Sequence, residues 1–486
     1  MLAIRRNIIS FLRAQMKSQI VIFCLLFSLT AALSDVTIPE GVSVSATRNV
    51  DIISQLVKVS TEYEIKNQGK TELNFFVHAI PEGEATRLAY IGAKENKKDA
   101  AILKISKTGV NGAPKGFAFY KIELNHLVGV GASVNLVVEY VVTKYLKPYP
   151  AEITQAENQF ILYEGDALVS SAYPVEKETS HFKIGTGKLV SHTQTNGKHV
   201  GDKITYGPFT DQKPYSEKKI SIHYENNSPF LVAVEVERWI EVSHWGNIAI
   251  EEKIEVVHKG AKLKGPFSRI DYQMDRRGPK QPSIKSWRTI LPAAAKDIYY
   301  RDQIGNISTS IVNAKHDATD VELRPRFPLF GGWRTNYVLG YNVPSYEFIF
   351  SSGSDYALKI RLVDHLWDNS VIENLRVKIV LPETSRSIKV AQPYSVKRLP
   401  DEIHKTYLDT TGRPVIVLEK QNVVENHVQP ITVYYEFDRI YLLREPLIAV
   451  AAFLILFIAV IIFVRLDFSI SSDPAADTKS AHIKKD

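Results

Sequence analysis

The sequence predicts a mainly β protein, with two tandem β-sandwich-like domains carried by one transmembrane α-helix. Three observations lead to this. Short runs of alternating apolar and polar residues recur along most of the chain, with Pro and Gly between them. Long helical-period patterns are scarce. One uncharged apolar run, residues 447–464, lies near the C-terminus.

Residues 1–34 read as a secretory signal peptide. Arg5, Arg6, Arg13 and Lys17 form a positive n-region, residues 20–33 form an apolar h-region, and Ala32 and Ser34 are small residues suited to cleavage before Asp35. The n-region is long, so an uncut anchor is the competing reading. Either one carries the following 400 or so residues across the membrane.

Residues 35–228 form the first expected domain. Period-two alternation predicts strands at 56–65, 134–142 and 219–224, and Asn67-Gln68-Gly69-Lys70 supplies a turn. The polar stretch Asn226-Asn227-Ser228-Pro229 is the expected joint. Residues 229–440 form the second domain, with strands at 231–242, 248–257, 356–363, 375–381, 414–418 and 431–437. Antiparallel sandwiches fit this spacing. Two internal echoes suggest duplication. Residues 63–69 resemble 254–260, and 136–148 resemble 431–446.

Residues 446–464 are the membrane span. The eighteen apolar residues from Leu447 would form a helix of roughly 27 Å, close to the bilayer's hydrocarbon thickness. Fourteen of them are Leu, Ile, Val or Phe, which together favour insertion by about 4–8 kcal/mol. Glu445 and Arg465 mark the watery ends, and 465–486 is a short cytosolic tail. The expected topology is type I and single-pass, oriented by the signal peptide.

Composition narrows the function. The chain carries +7, but four positive charges lie in residues 1–34, leaving about +3, so nothing points to nucleic acid. Cys24, the only cysteine, lies in the signal peptide. A disulfide-free ectodomain suits residence in the endoplasmic reticulum better than the cell surface.

No motif implies catalysis, a cofactor or a metal. There is no His-Glu-x-x-His and no Gly-x-Ser-x-Gly. There is also no Asp-x-Asp of the kind that would hold a divalent ion for a nucleotide sugar. Gly129-Val130-Gly131 and Gly185-Thr186-Gly187-Lys188 lack phosphate-loop spacing. His244 and His365 read as packed or surface histidines.

Candidate sites are of other kinds. Asn306-Ile307-Ser308 and Asn226-Asn227-Ser228 are glycosylation sequons, and Pro229 disfavours the second. Ala449, Ala452 and Ala459 could form a close-packing helix face in lipid. The loop from Arg324 to Arg334 holds two prolines and Gly331-Gly332. It either presents Phe330, Trp333 and Arg334 to a partner or folds its aromatics over its own sheet, and the second reading is favoured.

Several segments carry a resemblance. They include Glu241-Val242-Ser243-His244-Trp245-Gly246-Asn247-Ile248-Ala249, Gly265-Pro266-Phe267-Ser268-Arg269, Tyr299-Tyr300-Arg301-Asp302, the Arg324 to Trp333 loop and Tyr407-Leu408-Asp409-Thr410-Thr411-Gly412-Arg413-Pro414. They resemble the ribophorin I family of oligosaccharyltransferase subunits, over nearly the whole mature chain. The resemblance implies a non-catalytic, lumenal scaffold in the endoplasmic reticulum membrane. Its partners would be the other subunits, among them the multi-spanning catalytic one, and nascent polypeptides. It implies no active-site residues, and Asn306 matches a family glycosylation position. Longer animal members continue into a helical cytosolic region, whereas this sequence ends at Asp486. A free lumenal chaperone-like or adhesion-type binding protein is the alternative, and an ecto-hydrolase with paired carboxylates is a third reading.

Overall fold

The computed structural model describes residues 35–97, 101–275 and 281–466. The expected signal peptide and the tail beyond Leu466 lie outside them. The described chain is mainly β, with one long C-terminal helix.

Two large sheets carry the fold. The first runs, edge to edge, Gly197–Val200, Lys203–Gln212, Val175–Lys183, Val42–Asp51, Val57–Asn67, Ser133–Val142, Leu88–Glu95. The second runs Lys397–Arg398, Arg413–Val424, Val371–Val380, Leu231–Val242, Asn247–His258, Arg334–Pro344, Lys296–Arg301. Each has one parallel pair. Val42–Asp51 lies parallel to Val175–Lys183, and Leu231–Val242 parallel to Val371–Val380. The sandwiches are therefore not wholly antiparallel. A parallel neighbour needs a crossover, and between the two strands the chain builds the three-stranded sheet and half of the four-stranded one.

Those smaller sheets also repeat. Leu73–Pro81, Phe117–Val128 and Ile105–Thr108 pair in the same order as Trp287–Pro292, Ala318–Leu323 and Ile311–Ala314. Likewise Lys147–Pro148, Phe160–Asp166, Lys219–Glu225 and Leu189–His192 match Ile349–Ser352, Asp355–Arg361, Pro430–Glu436 and Arg386–Ala391. The same topology is thus laid down twice along the chain. One copy ends at Glu225 and the next begins at Leu231. The echo of 63–69 in 254–260 falls on matching strands. The echo of 136–148 in 431–446 does not, because Ser133–Val142 belongs to a large sheet and Pro430–Glu436 to a small one. That likeness comes from strand composition alone.

Alternation explains the layers. Val42, Val44, Ala46, Arg48 and Val50 all face inward. The first three share a core with Leu73, Phe76 and Ile122 of the three-stranded sheet. Val50 shares another with Ile161, Tyr163 and Ile222 of the four-stranded sheet. Arg48 lies buried between the two cores, with its Nε donating to Ser180 Oγ (3.1 Å) and its Nη2 to the Asp166 carbonyl. On the matching strand of the second copy, Arg238 is also buried. It donates to Glu252, to Asp364 Oδ2 (2.7 Å) and to the Tyr341 hydroxyl (3.2 Å). Tyr341 also donates to Asp364. Burial raises the Glu252 pKa. In each copy a buried arginine thus lies on the inner face of the large sheet, between two cores in the first copy and against one continuous core in the second, where an unpaired charge would be costly.

The two copies meet in a seam with an apolar centre. Leu56 and Val141 pack with Val232, Val371 and Val424. The Gln55 amide donates to the carbonyls of Leu231 (2.6 Å) and Asn369 (2.9 Å). Lys144 and Lys259, one from each copy, converge on Glu373 at 2.9 and 2.5 Å. Glu152–Ile153 of the first copy forms a two-stranded parallel sheet with Lys262–Leu263 of the second.

Candidate functional site: the ectodomain–helix junction

The richest polar cluster lies where the apolar helix leaves the second copy. Pro430–Glu436 ends against Phe437, and the 3-10 turn Arg439–Leu443 runs directly into the helix Arg444–Arg465. Leu443 and Arg444 both have helical backbone angles, so no extended linker separates sheet from helix.

Two charged groups lock this exit. Arg413 ends a turn and begins the strand Arg413–Val424. Its guanidinium reaches Glu241 (2.8 Å), Asp409 (3.2 Å) and Glu445 (3.1 Å). The Glu241–Arg413–Glu445 link therefore ties the large sheet to the first turn of the helix. Arg413 is suited to this because its planar fork can serve several carboxylates at once. Glu383 holds the preceding turn. Its Oε1 accepts from the N–H groups of Thr410 (2.9 Å), Thr411 (2.5 Å) and Gly412 (3.0 Å), and from both threonine hydroxyls. Its Oε2 lies 3.6 Å from Arg444. Burial opposes its ionisation, but the hydrogen bonds from Thr411, Gly412 and Thr410 outweigh burial and bring Glu383 down to about 2.

His244 packs here as expected. Its ring stacks on Phe437 at 4.6 Å and meets Tyr356 edge-on at 4.5 Å. Burial, aided by Arg439, pushes the imidazole down to about 4, so it is neutral at physiological pH. The arrangement offers hydrogen bonds and ion pairs that fix geometry. It joins the β-rich part of the chain to the apolar helix.

The other expected sites fall elsewhere. Asn306 is exposed on a turn, between the buried Ile307 and the exposed Ser308 on one side and Asp302 on the other. Asp302 braces that turn through the Ile304 and Gly305 N–H groups and through Arg326. Asn226, the second sequon, is packed inside the fold. It is 6% exposed. Its Oδ1 accepts from the Ser228 N–H (3.0 Å) and hydroxyl (2.6 Å), and its Nδ2 donates to the Ile52 carbonyl (3.4 Å). Both ends of its amide are thus engaged within the fold.

The aromatic loop folds inward. Phe330 is 5% exposed and packs among Phe267, Tyr272 and Trp333. Gly331 is required by close approach, since a Cβ there would lie 1.8 Å from the Ala261 carbonyl oxygen. The loop is thus stitched to the Lys262–Leu263 strand of the seam. Trp333 is half-buried, and Arg334 alone of the three points to water. None of the C-terminal helix is buried, so Ala449, Ala452 and Ala459 have no packing partner within the described residues.

Sequence reasoning missed Glu383, Arg413 and the seam cluster of His365, Asp368 and Glu425. The histidine Nε2 lies 3.3 Å from Asp368 and 3.5 Å from Glu425. His365 and Asp368 are neighbours in sequence, but Glu425 and Glu383 lie too far along the chain from their partners for a local pattern to join them. The motif from Tyr407 to Pro414 was the one available signal for the junction.

Comparison with known proteins bears on these features. The Ribophorin I family model matches residues 42–464. A Caenorhabditis elegans protein named dolichyl-diphosphooligosaccharide--protein glycosyltransferase subunit 1 is 49% identical, over 89% of this chain and 73% of its own length. Arabidopsis thaliana subunit 1A is 38% identical over 94% of this chain and 75% of its own length. Subunit 1B of that plant is 36% identical over 88% and 93%. The match takes in both sheet systems, the junction and nearly all of the apolar helix, and on that extent this chain belongs to the Ribophorin I family.

Proposed function

We propose that this chain is a non-catalytic subunit of the oligosaccharyltransferase complex of the endoplasmic reticulum membrane. That complex transfers a preassembled glycan from dolichyl diphosphate to Asn in Asn-x-Ser/Thr of nascent proteins. The observation that carries the proposal is the 49% identity to a protein named as subunit 1 of that transferase. The chain would be a type I protein with its β-rich bulk in the lumen and one span, 446–464. Residues 35–228 and 229–440 would act as two tandem domains, and bond chemistry would belong to the multi-spanning catalytic subunit.

Scaffolding is the role that the geometry supports. The seam and the Arg413–Glu445 link would hold the two copies and the helix as a unit. Such a unit could position nascent chains beside the catalytic subunit, raising the rate through proximity. The face with Ala449, Ala452 and Ala459 would pack against neighbouring spans, and Asn306 would itself carry a glycan. The test is depletion. Site occupancy should fall for a subset of glycoproteins and return with the wild-type chain. Unchanged occupancy across many glycoproteins would overturn the proposal.

A further inference from the structure

Around the helix exit the ectodomain carries exposed aromatic and aliphatic side chains that its own fold does not explain. Trp245, at the turn between Leu231–Val242 and Asn247–His258, is 64% exposed, although its neighbour His244 is packed inward. Tyr346 is 76% exposed, and its short helix is tied to that turn by the Ser345 N–H donating to the Gly246 carbonyl (3.1 Å). Tyr407 is fully exposed, in the turn whose Asp409 binds Arg413. Ile440 is 72% exposed on the 3-10 turn itself. Four separate segments therefore contribute to one rim.

The rim's height above the bilayer follows from the helix. Trp245 lines the same small crevice as Arg444 and Glu445. Glu445 precedes Leu447, the first residue of the apolar run, by two positions, or about 3 Å along a helix axis. The polar layer on each side of a bilayer is about 5–7 Å deep. Tyr407 is tied to the same level through Asp409, Arg413 and Glu445. Because the helix joins the sheet with no extended linker, the ectodomain cannot rise away from this plane. Trp and Tyr, with an apolar ring and a polar edge, favour the headgroup level.

We infer that Trp245, Tyr346, Tyr407 and Ile440 rest in the lumenal headgroup layer and fix the ectodomain's tilt on the membrane. The occupant of this rim is lipid, because the rim continues the surface of an apolar helix that, as a span, borders lipid on the faces other than that of Ala449, Ala452 and Ala459. The inference rests on the helix spanning the bilayer, as proposed above.

Quenching of tryptophan emission tests it in the full-length chain, reconstituted into phosphatidylcholine vesicles. Five tryptophans are present, and Trp287 and Trp367 are buried. A headgroup-attached nitroxide lipid should quench a component of the emission that is absent from W245F, and aqueous iodide should reach that component far less in vesicles than in detergent. In a W245F background, Y407W should restore headgroup quenching. Equal quenching of wild type and W245F, or full access to iodide in vesicles, would overturn the inference. So would protection from both quenchers in the native assembly, which would assign the rim to a protein neighbour. Failure of the chain to float with vesicles would instead refute the membrane span itself.

Discussion

Glu383 offers the most quantitative test of the junction. Its carboxylate accepts three backbone and two hydroxyl hydrogen bonds, which hold it at about 2 instead of the ordinary 4.5. Taken whole, that shift corresponds to about 3 kcal/mol in favour of the folded state. The turn borders water, so screening reduces the expected contribution to about 1–2 kcal/mol. E383Q keeps an acceptor but removes the charge, and at neutral pH it should lower the ectodomain's Tm by about 1–2 °C. The sign of the pH dependence follows from the depressed pKa. The contribution is complete above the unfolded value of 4.5 and is lost as pH falls toward the folded value of about 2. The wild-type advantage should therefore shrink between pH 5 and about pH 3. Thermal unfolding of nanodisc-held wild type and E383Q, compared at matched pH, measures it, and other carboxylates largely cancel in the difference. Equal Tm values at pH 7, or a gap that does not change with acid, would refute the reasoning.

Other expectations are as direct. R238M leaves Glu252 and Asp364 buried without their cation and should cost about 3–5 kcal/mol in urea unfolding, with part of that recovered in R238M/D364N. His365 is raised above 6.5, chiefly by its hydrogen bond to Glu425. Its support for the seam is therefore complete below pH 6.5 and lost as pH rises through the elevated value, and H365Q should flatten the stability profile between pH 6 and 8. N306Q should remove one endoglycosidase-sensitive glycan from the chain made in microsomes, whereas N226Q should leave its mobility unchanged. Phe330→Ala should destabilise by about 3–5 kcal/mol because it opens a cavity, while R334A on the exposed position should alter stability little.

Strands of clean alternation were legible, and Leu231–Val242 matches its expected bounds at both ends. Two of the strands that escaped notice carry polar residues at inward positions. Val42–Asp51 hides Arg48, and Leu73–Pro81 hides His78. Hydropathy marks both as outward-facing. Inside the fold, burial and then the Arg48 charge push His78 down to about 3, so a neutral imidazole sits beside the Tyr63 hydroxyl (3.0 Å). The buried arginines were invisible for a related reason: a charged residue reads as outward-facing, and partners such as Ser180 and Asp364 lie more than 120 positions away. The junction was half-legible. The segment from Tyr407 to Pro414 stood out as a motif, but its partners Glu383 and Glu241 lie about 30 and 170 positions away, and only the sheet topology joins them. The aromatic loop could be read either way in sequence; its glycine pair, which permits close approach to Ala261, turns the rings inward.

The central claim is that this chain works by contact, as a lumenal scaffold locked to its span. Mild-detergent extraction of a tagged full-length chain, with mass and composition measured on the intact particle, tests that claim most directly. The account expects a large assembly containing the multi-spanning catalytic subunit in equal number, with R413A loosening or shedding that partner. A chain that elutes alone, while the transferase remains whole and active without it, would contradict the account.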